Sequence, residues 1–146
     1  METERRIVEY IDALSDSMRE SMRKYRNVPE YRDLFCLSIT QLHYLHAIKE
    51  MPGITLTELS EYFKVKKPTV TNVVNRLVRQ GYVEKNQSDK DLRVFHLLLA
   101  ARGAALLALE KEGYYAFAKK MTNILSEPEK EAFTKTLAKI FHCLQE

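Results

Sequence analysis

Apolar residues open the chain at helical spacing: Ile7, Ile11, Leu14, Met18, Met22 and Tyr25, with charges between them. That period predicts one long helix over about residues 4–26. The stretch NVPEYRDLF breaks it, with Pro29 as the breaker. SITQ then predicts a helix start at Ser38, because Ser38 can cap the amide of Gln41 and the Gln41 side chain can reach back. Leu42, Leu45 and Ile48 give this second helix its apolar stripe, and Pro52 and Gly53 end it. TLTE repeats the device with Thr55 and Glu58, predicting a short helix over about residues 56–63 that carries Leu59, Tyr62 and Phe63.

KVKKPTVTNVVNRLVRQGY follows, Lys64 to Tyr82. On a helical wheel Val70, Val73, Val74, Leu77 and Val78 share one face, opposite Pro68, Asn72, Asn75 and Arg79 and flanked by Thr69, Thr71 and Arg76. Gly81 ends this helix. The period then changes from helical to extended. Residues 82–85 form a first arm, NQSDKD a polar tip and Leu92 to Leu99 a second arm, which together predict a hairpin. A second long helix is expected over about residues 100–123, with Ala104, Leu107, Ala108, Tyr115 and Phe117 as its apolar surface and Gly113 weakening its middle. SEPE, with Ser126 and Glu129, starts a last helix over about residues 127–145, whose Phe133, Leu137, Ile140, Phe141 and Leu144 are expected to face inward.

The fold class expected from this order is mainly α (α+β), with residues 38–99 arranged as a winged helix-turn-helix between long N- and C-terminal helices. Composition narrows the function. The 146 residues suit one soluble domain, and the net charge of +3 neither demands nor forbids an acidic partner. Its distribution is the stronger sign. Between Lys64 and Arg79 stand Lys64, Lys66, Lys67, Arg76 and Arg79 with no Asp or Glu, so that helix alone carries more positive charge than the whole chain.

The polar face of this helix suits a reader of double-stranded DNA. Asn72 and Asn75 can pair with adenine, Arg76 and Arg79 with guanine, and Thr69 and Thr71 offer hydroxyls and methyls. Lys66 and Lys67, with Pro68 in the first turn, stand where phosphate would meet a helix N-terminus. In the hairpin, Lys90 lies near the turn. Asp91 and Arg93, two apart on what is taken as extended chain, are expected on one face, where the carboxylate would orient Arg93 for a narrow minor groove. The bland alternative is a solvated helix face in a protein-interaction module, and such a module would favour an apolar or acidic face.

These residues together resemble the MarR family of transcription regulators. The resemblance runs through SITQLHYLHAI, PGITLTELSEYFKVKKPTVTNVVNRLVRQGYVEK, SDKDLRVFHLLLAARG and LSEPEKEAF, nearly the whole chain. It implies a single domain, residues 1–146. Residues 38–99 would bind DNA, and residues 1–37 and 100–146 would interlock two copies into a homodimer. It also implies that Arg93 enters the minor groove with support from Asp91. A repressor on a pseudopalindromic operator, released by a small effector, is the function expected. Lys66 stands where the family often has a capping Ser, and Ala100 where it often has Thr.

An aromatic or acyl effector is expected in the crevice that the family places beside the second helix, with Tyr25, Phe35, His43, His46 and Tyr114 as candidate lining residues. Cys36 offers a redox alternative, although a free cysteine more commonly packs as a small apolar group. Cys143 is expected in the core or a dimer contact. His43 and His46 have a spacing that can share a metal, but no partner cluster appears between residues 100 and 123, so no metal and no cofactor are expected. No Gly-rich phosphate loop or His/Asp/Ser constellation supports an enzyme. The charged start METERRIVEYIDAL and the short apolar runs predict neither a signal peptide nor a membrane span, and the protein is expected in the cytoplasm.

Overall fold

A computed structural model describes residues 1–145, with only the backbone of Glu30. The helices are α1 (Glu2–Arg23), α2 (Arg32–Cys36) after a 3-10 turn at Pro29–Tyr31, α3 (Ile39–Glu50), α4 (Leu56–Phe63), α5 (Lys67–Arg79), α6 (Ala101–Thr122) and α7 (Glu127–Leu144). The strands are β1 (Ile54–Thr55), β2 (Val83–Gln87) and β3 (Phe95–Leu99), in the antiparallel order β1-β3-β2. The chain falls into two units, Met1–Lys111 and Glu112–Glu146, with the division inside α6.

The helix starts form as their sequences dictate. Ser38 Oγ accepts from the Gln41 amide at 3.2 Å while the Ser38 amide donates to Gln41 Oε1 at 2.9 Å. Thr55 and Glu58 repeat the exchange at 3.2 and 2.8 Å. At α7 the Ser126 amide and hydroxyl both donate to Glu129 Oε2 at 2.8 Å. The backbone bonds from Thr55 and Ser126 hold the Glu58 and Glu129 carboxyls below their ordinary values. Gly81 follows the Gln80 C-cap of α5 at φ 80°, the left-handed conformation that lets the chain turn from helix into strand.

The core of the first unit is made where α3, α4 and α5 meet the sheet. Leu45, Ile48, Leu59, Val70, Val74, Leu77 and Leu97 are fully buried. Each such aliphatic side chain contributes about 1.5–3 kcal/mol on removal from water. Val70, Val74 and Leu77 are the apolar face expected for α5, so its polar face is turned outward.

Several expectations are corrected. The segment after Pro29 is not a plain interruption, since Arg32–Cys36 forms α2 and buries Leu34. β1 was not anticipated. It is two residues long and exists because Ile54 and Thr55 pair with Leu97 and His96 of β3. In α3, Tyr44 and Ala47 are buried and Leu42 only partly. Tyr62 of α4 is exposed, with its ring edge-on to that of Phe63 at 4.9 Å between centroids. In α6 the buried apolar side chains are Leu106 and Leu107, whereas Ala104 and Ala108 are exposed. An alanine pattern is a weak sign of facing, because a methyl loses little when left in water. Nor do the apolar residues of α7 face inward: Phe133, Leu137, Ile140, Phe141 and Leu144 are all exposed, and α1 likewise buries none of its residues.

Candidate nucleic-acid interface

Helix α5 starts without a side-chain cap. Lys66 occupies the N-cap position in extended conformation, and Lys67 and Pro68 fill the first turn. The Thr69 amide bonds the Lys66 carbonyl at 3.0 Å. Lys66, Lys67, Pro68, Thr69, Asn72, Arg76 and Arg79 are exposed. Thr69, Asn72, Arg76 and Arg79 lie three and four apart, so they form one line along the helix. Positive side chains stand at the end of the helix where backbone amides and dipole also attract an anion.

Two members of the expected reading face are turned elsewhere. Thr71 is half-buried and its hydroxyl donates to the Lys67 carbonyl at 2.9 Å. Asn75 is half-buried beside β2, where its Oδ1 accepts from Lys85 Nζ at 3.4 Å, and the same ammonium lies 4.4 Å from the Phe95 ring centroid. Asn75 thus links α5 to the wing instead of lining the open face. The helix wheel placed it correctly relative to Val74 but could not show that a strand covers that side.

The wing also differs from its expected form. The strands end at Gln87 and begin again at Phe95, so Asp91 and Arg93 lie in a turn, not on an extended arm. The Val94 amide donates to the Asp91 carbonyl at 2.9 Å and the Ser88 amide to the Val94 carbonyl at 2.8 Å. The period-two argument for this pair is therefore wrong, yet the pair forms. The Arg93 amide donates to Asp91 Oδ1 at 3.0 Å, an Asx turn in which the carboxylate closes the backbone. The Arg93 guanidinium then meets the same carboxylate with both prongs, Nε to Oδ1 at 3.1 Å and Nη2 to Oδ2 at 3.2 Å. Gln87 Nε2 donates to the Leu92 carbonyl at 2.6 Å and braces the turn from the strand. These bonds, the guanidinium's first, hold the Asp91 carboxyl below its ordinary value. Arg93 remains 90% exposed, a cation held by Asp91 at the wing tip, three residues from Lys90 in sequence.

The other end of α5 carries a cluster that the sequence did not announce. Gln80 caps the helix, and its Oε1 accepts from Gln41 Nε2 of α3 at 3.2 Å. Its carbonyl accepts from Arg102 Nη1 of α6 at 2.8 Å. Arg102 Nη2 donates to Asp33 Oδ2 of α2 at 2.7 Å, and the guanidinium carbon lies 4.8 Å from the Tyr82 ring centroid. Beside it, the first turn of α6 is seated on the backbone of Tyr82: a Cβ at Gly103 would fall 2.3 Å from the Tyr82 carbonyl oxygen. A lone Gly in the first turn of a helix that follows a strand is the one available sequence sign of such close approach.

Of the residues expected to line an effector crevice, Tyr25, Phe35, His43 and His46 belong to the first unit and Tyr114 to the second. Tyr25 packs on Tyr31 with centroids 4.8 Å apart. Phe35 and His43 are exposed, and Tyr114 is exposed in the second unit. His46 Nε2 bonds Glu110 Oε2 at 2.6 Å, so this histidine links α3 to a buried carboxylate of α6. Cys36 ends α2 as an exposed free thiol, against its apolar-packing reading, and Cys143 is exposed as well, outside the core of this chain. Among the described residues no group of three His, Cys, Asp or Glu side chains is placed to hold a metal, and no helix is long and apolar enough to cross a membrane.

Comparisons with known proteins agree with this geometry. The profile of the MarR family matches residues 37–95. The HTH-type transcriptional regulator YybA of Bacillus subtilis is 29% identical over 112 residues, which is 76% of this chain and 73% of that protein. The HTH-type transcriptional repressor YetL of the same organism is 30% identical over 88 residues, 60% of this chain and 53% of YetL. Among solved structures, FabT of Streptococcus pneumoniae in complex with DNA superposes with a TM-score of 0.71 at 29% identity, covering 97% of this chain and 96% of that one. YusO of Bacillus subtilis shares the fold with a TM-score of 0.72 at 23% identity, over 97% and 93% of the two chains.

Proposed function

We propose that this chain is a MarR-type winged-helix regulator of transcription that acts as a homodimeric repressor and reads a pseudopalindromic operator in double-stranded DNA. The observation that carries the reading is the exposed line Thr69, Asn72, Arg76 and Arg79 behind Lys64, Lys66 and Lys67, without an acid among them. Thr69, Asn72 and Arg76 make the base-edge contacts in the major groove, the lysines hold phosphate, and Arg93 enters the adjacent minor groove already oriented by Asp91. The DNA complex of FabT and the repressor name of YetL support this assignment.

The uncovered apolar residues of α1 (Ile7, Ile11, Leu14) and α7 (Leu137, Ile140, Phe141) support the dimer, with residues 38–99 as its DNA-binding part and residues 1–37 and 100–146 as its dimerisation part. Two reading heads about 34–36 Å apart then require half-sites one helical turn apart. An aromatic or acyl effector that favours a different spacing would lower operator affinity.

The test is a fluorescence anisotropy titration with DNA from the protein's own promoter region, against random duplex at several salt concentrations. A salt-dependent preference for the promoter is expected, together with a strong loss in Arg93→Ala while sedimentation still reports a dimer. Equal affinity for both DNAs would remove the reading, and a monomer at micromolar concentration would remove the dimer.

A further inference from the structure

We propose that Arg102 is a positioning residue for DNA reading, fixing the C-terminal end of α5 so that its exposed face meets base edges in register. The proposal rests on the DNA-reading assignment above and adds to it a residue on α6, outside both the reading helix and the wing.

One guanidinium joins three separate elements. It donates to the Gln80 carbonyl, one of the carbonyls left without an intrahelical partner at the end of α5, at 2.8 Å. It donates to Asp33 of α2 at 2.7 Å and lies against the ring of Tyr82, the first residue after the Gly81 turn. As a bare ion pair this contact decides little, since Arg102 is 53% and Asp33 45% exposed. The directional set matters more. Val70, Val74 and Leu77 hold α5 against the core by apolar burial, which is non-directional, and the directional bonds act at its C-terminal end. Gln80 is instead held from two sides, its side chain by Gln41 and its carbonyl by Arg102. Arg102 is itself fixed, because Gly103 seats the first turn of α6 on the Tyr82 backbone and the Ala100 amide bonds the Tyr82 carbonyl at 3.0 Å.

The lever is long enough to matter. The 13 residues of α5 span about 20 Å, so a tilt of about 5° at the Gln80 end moves the Lys67 end by about 2 Å. Thr69 and Asn72, nearer the pivot, move by about 1.4 and 1 Å, which takes a base-edge hydrogen bond out of its distance range, whereas the attraction of lysines to phosphate persists. Losing Arg102 therefore reduces discrimination more than it reduces general DNA affinity.

The experiment uses the full-length protein, the duplex that it enriches from a random-sequence pool, and unselected random duplex at the same salt. Arg102→Met keeps the apolar stem and removes the guanidinium. It is expected to weaken selected-duplex binding about tenfold, the size of one mismatched base pair, with random-duplex affinity within about twofold. Arg102→Lys keeps the charge but cannot bond Gln80 and Asp33 while lying flat on Tyr82, so it is expected to behave like Arg102→Met. Wild-type discrimination in Arg102→Lys, or equal losses on both duplexes in Arg102→Met, overturns the proposal.

Hydrogen exchange in the free protein gives a readout independent of DNA. The Gly81 and Tyr82 amides, bonded to Val78 and Leu77 at 3.0 and 2.9 Å, are expected to exchange faster in Arg102→Met. Unchanged exchange there overturns the latch. A wild-type protein that enriches no duplex would overturn the DNA reading instead, and with it the positioning role.

Discussion

Gly103→Ala reverses the sign normally expected of its substitution. In a helix interior, replacing Gly by Ala stabilises by about 1 kcal/mol, because Ala loses less backbone freedom on folding. At Gly103 the added Cβ would stand 2.3 Å from the Tyr82 carbonyl oxygen and 3.2 Å from Leu99 Cδ2, and the first of these contacts is with backbone. Relief requires the first turn of α6 to back away by more than half an ångström. That movement lengthens the 3.0 Å bond from the Ala100 amide to Tyr82 and carries Arg102 away from Gln80. Overpacking of this kind costs about 1–3 kcal/mol, and a weakened buried hydrogen bond about 1 kcal/mol more. Against a propensity gain of about 1 kcal/mol, the net expectation is a loss of about 2 kcal/mol. Urea unfolding followed by far-UV circular dichroism measures it, at one fixed protein concentration, because association contributes to apparent stability. A variant as stable as the wild type, or more so, would refute the seating of α6 on Tyr82.

Other predictions follow from the turns and the wing. Lys64 holds φ 53° at the C-cap of α4, where a side chain costs about 1 kcal/mol, so Lys64→Gly should raise the unfolding midpoint, and a lowered midpoint would show that the lysine makes a compensating contact. Lys66→Ser supplies the missing cap of α5 and should stabilise the free protein by about 1 kcal/mol while weakening DNA binding, measured by unfolding and anisotropy together; stronger binding would show that Lys66 meets no phosphate. Asp91 is depressed by Arg93, so the ordered wing persists above the ordinary carboxylate range and is lost only as pH falls through the lowered value. A carbon-detected titration of the Asp91 carboxyl with a midpoint at or above 3.8 would contradict the bidentate pair.

Much of the fold was legible because its signals are local. Ser38, Thr55 and Ser126 announce helix starts through partners three residues away, and Gly81 announces a stop through its own φ. The apolar stripe of α5 was legible as well, since one helix face must be buried wherever the helix docks. The concentration of lysine and arginine around that helix is a property of composition and needs no coordinates.

What escaped depends on contacts distant in the chain. β1 has no period of its own and forms only because β3 returns beside Ile54 and Thr55. Asn75 lies beside the reading face in sequence but is claimed by Lys85 of the neighbouring strand. Period two on an extended arm would also put Asp91 and Arg93 together, but it is a turn closed by Asp91 that does so. Local patterns specify α1, α3, α4, α5, α6 and α7, the capping boxes that open α3, α4 and α7, and the charge concentrated on α5, because propensity, capping and periodicity act within a few residues; α2 is the exception. Packing between distant elements leaves Thr69, Asn72, Arg76 and Arg79 exposed, half-buries Thr71 and Asn75, and ties α5 to α2 through Arg102 of another helix. Those outcomes are settled by which elements pack together, and no local pattern encodes that.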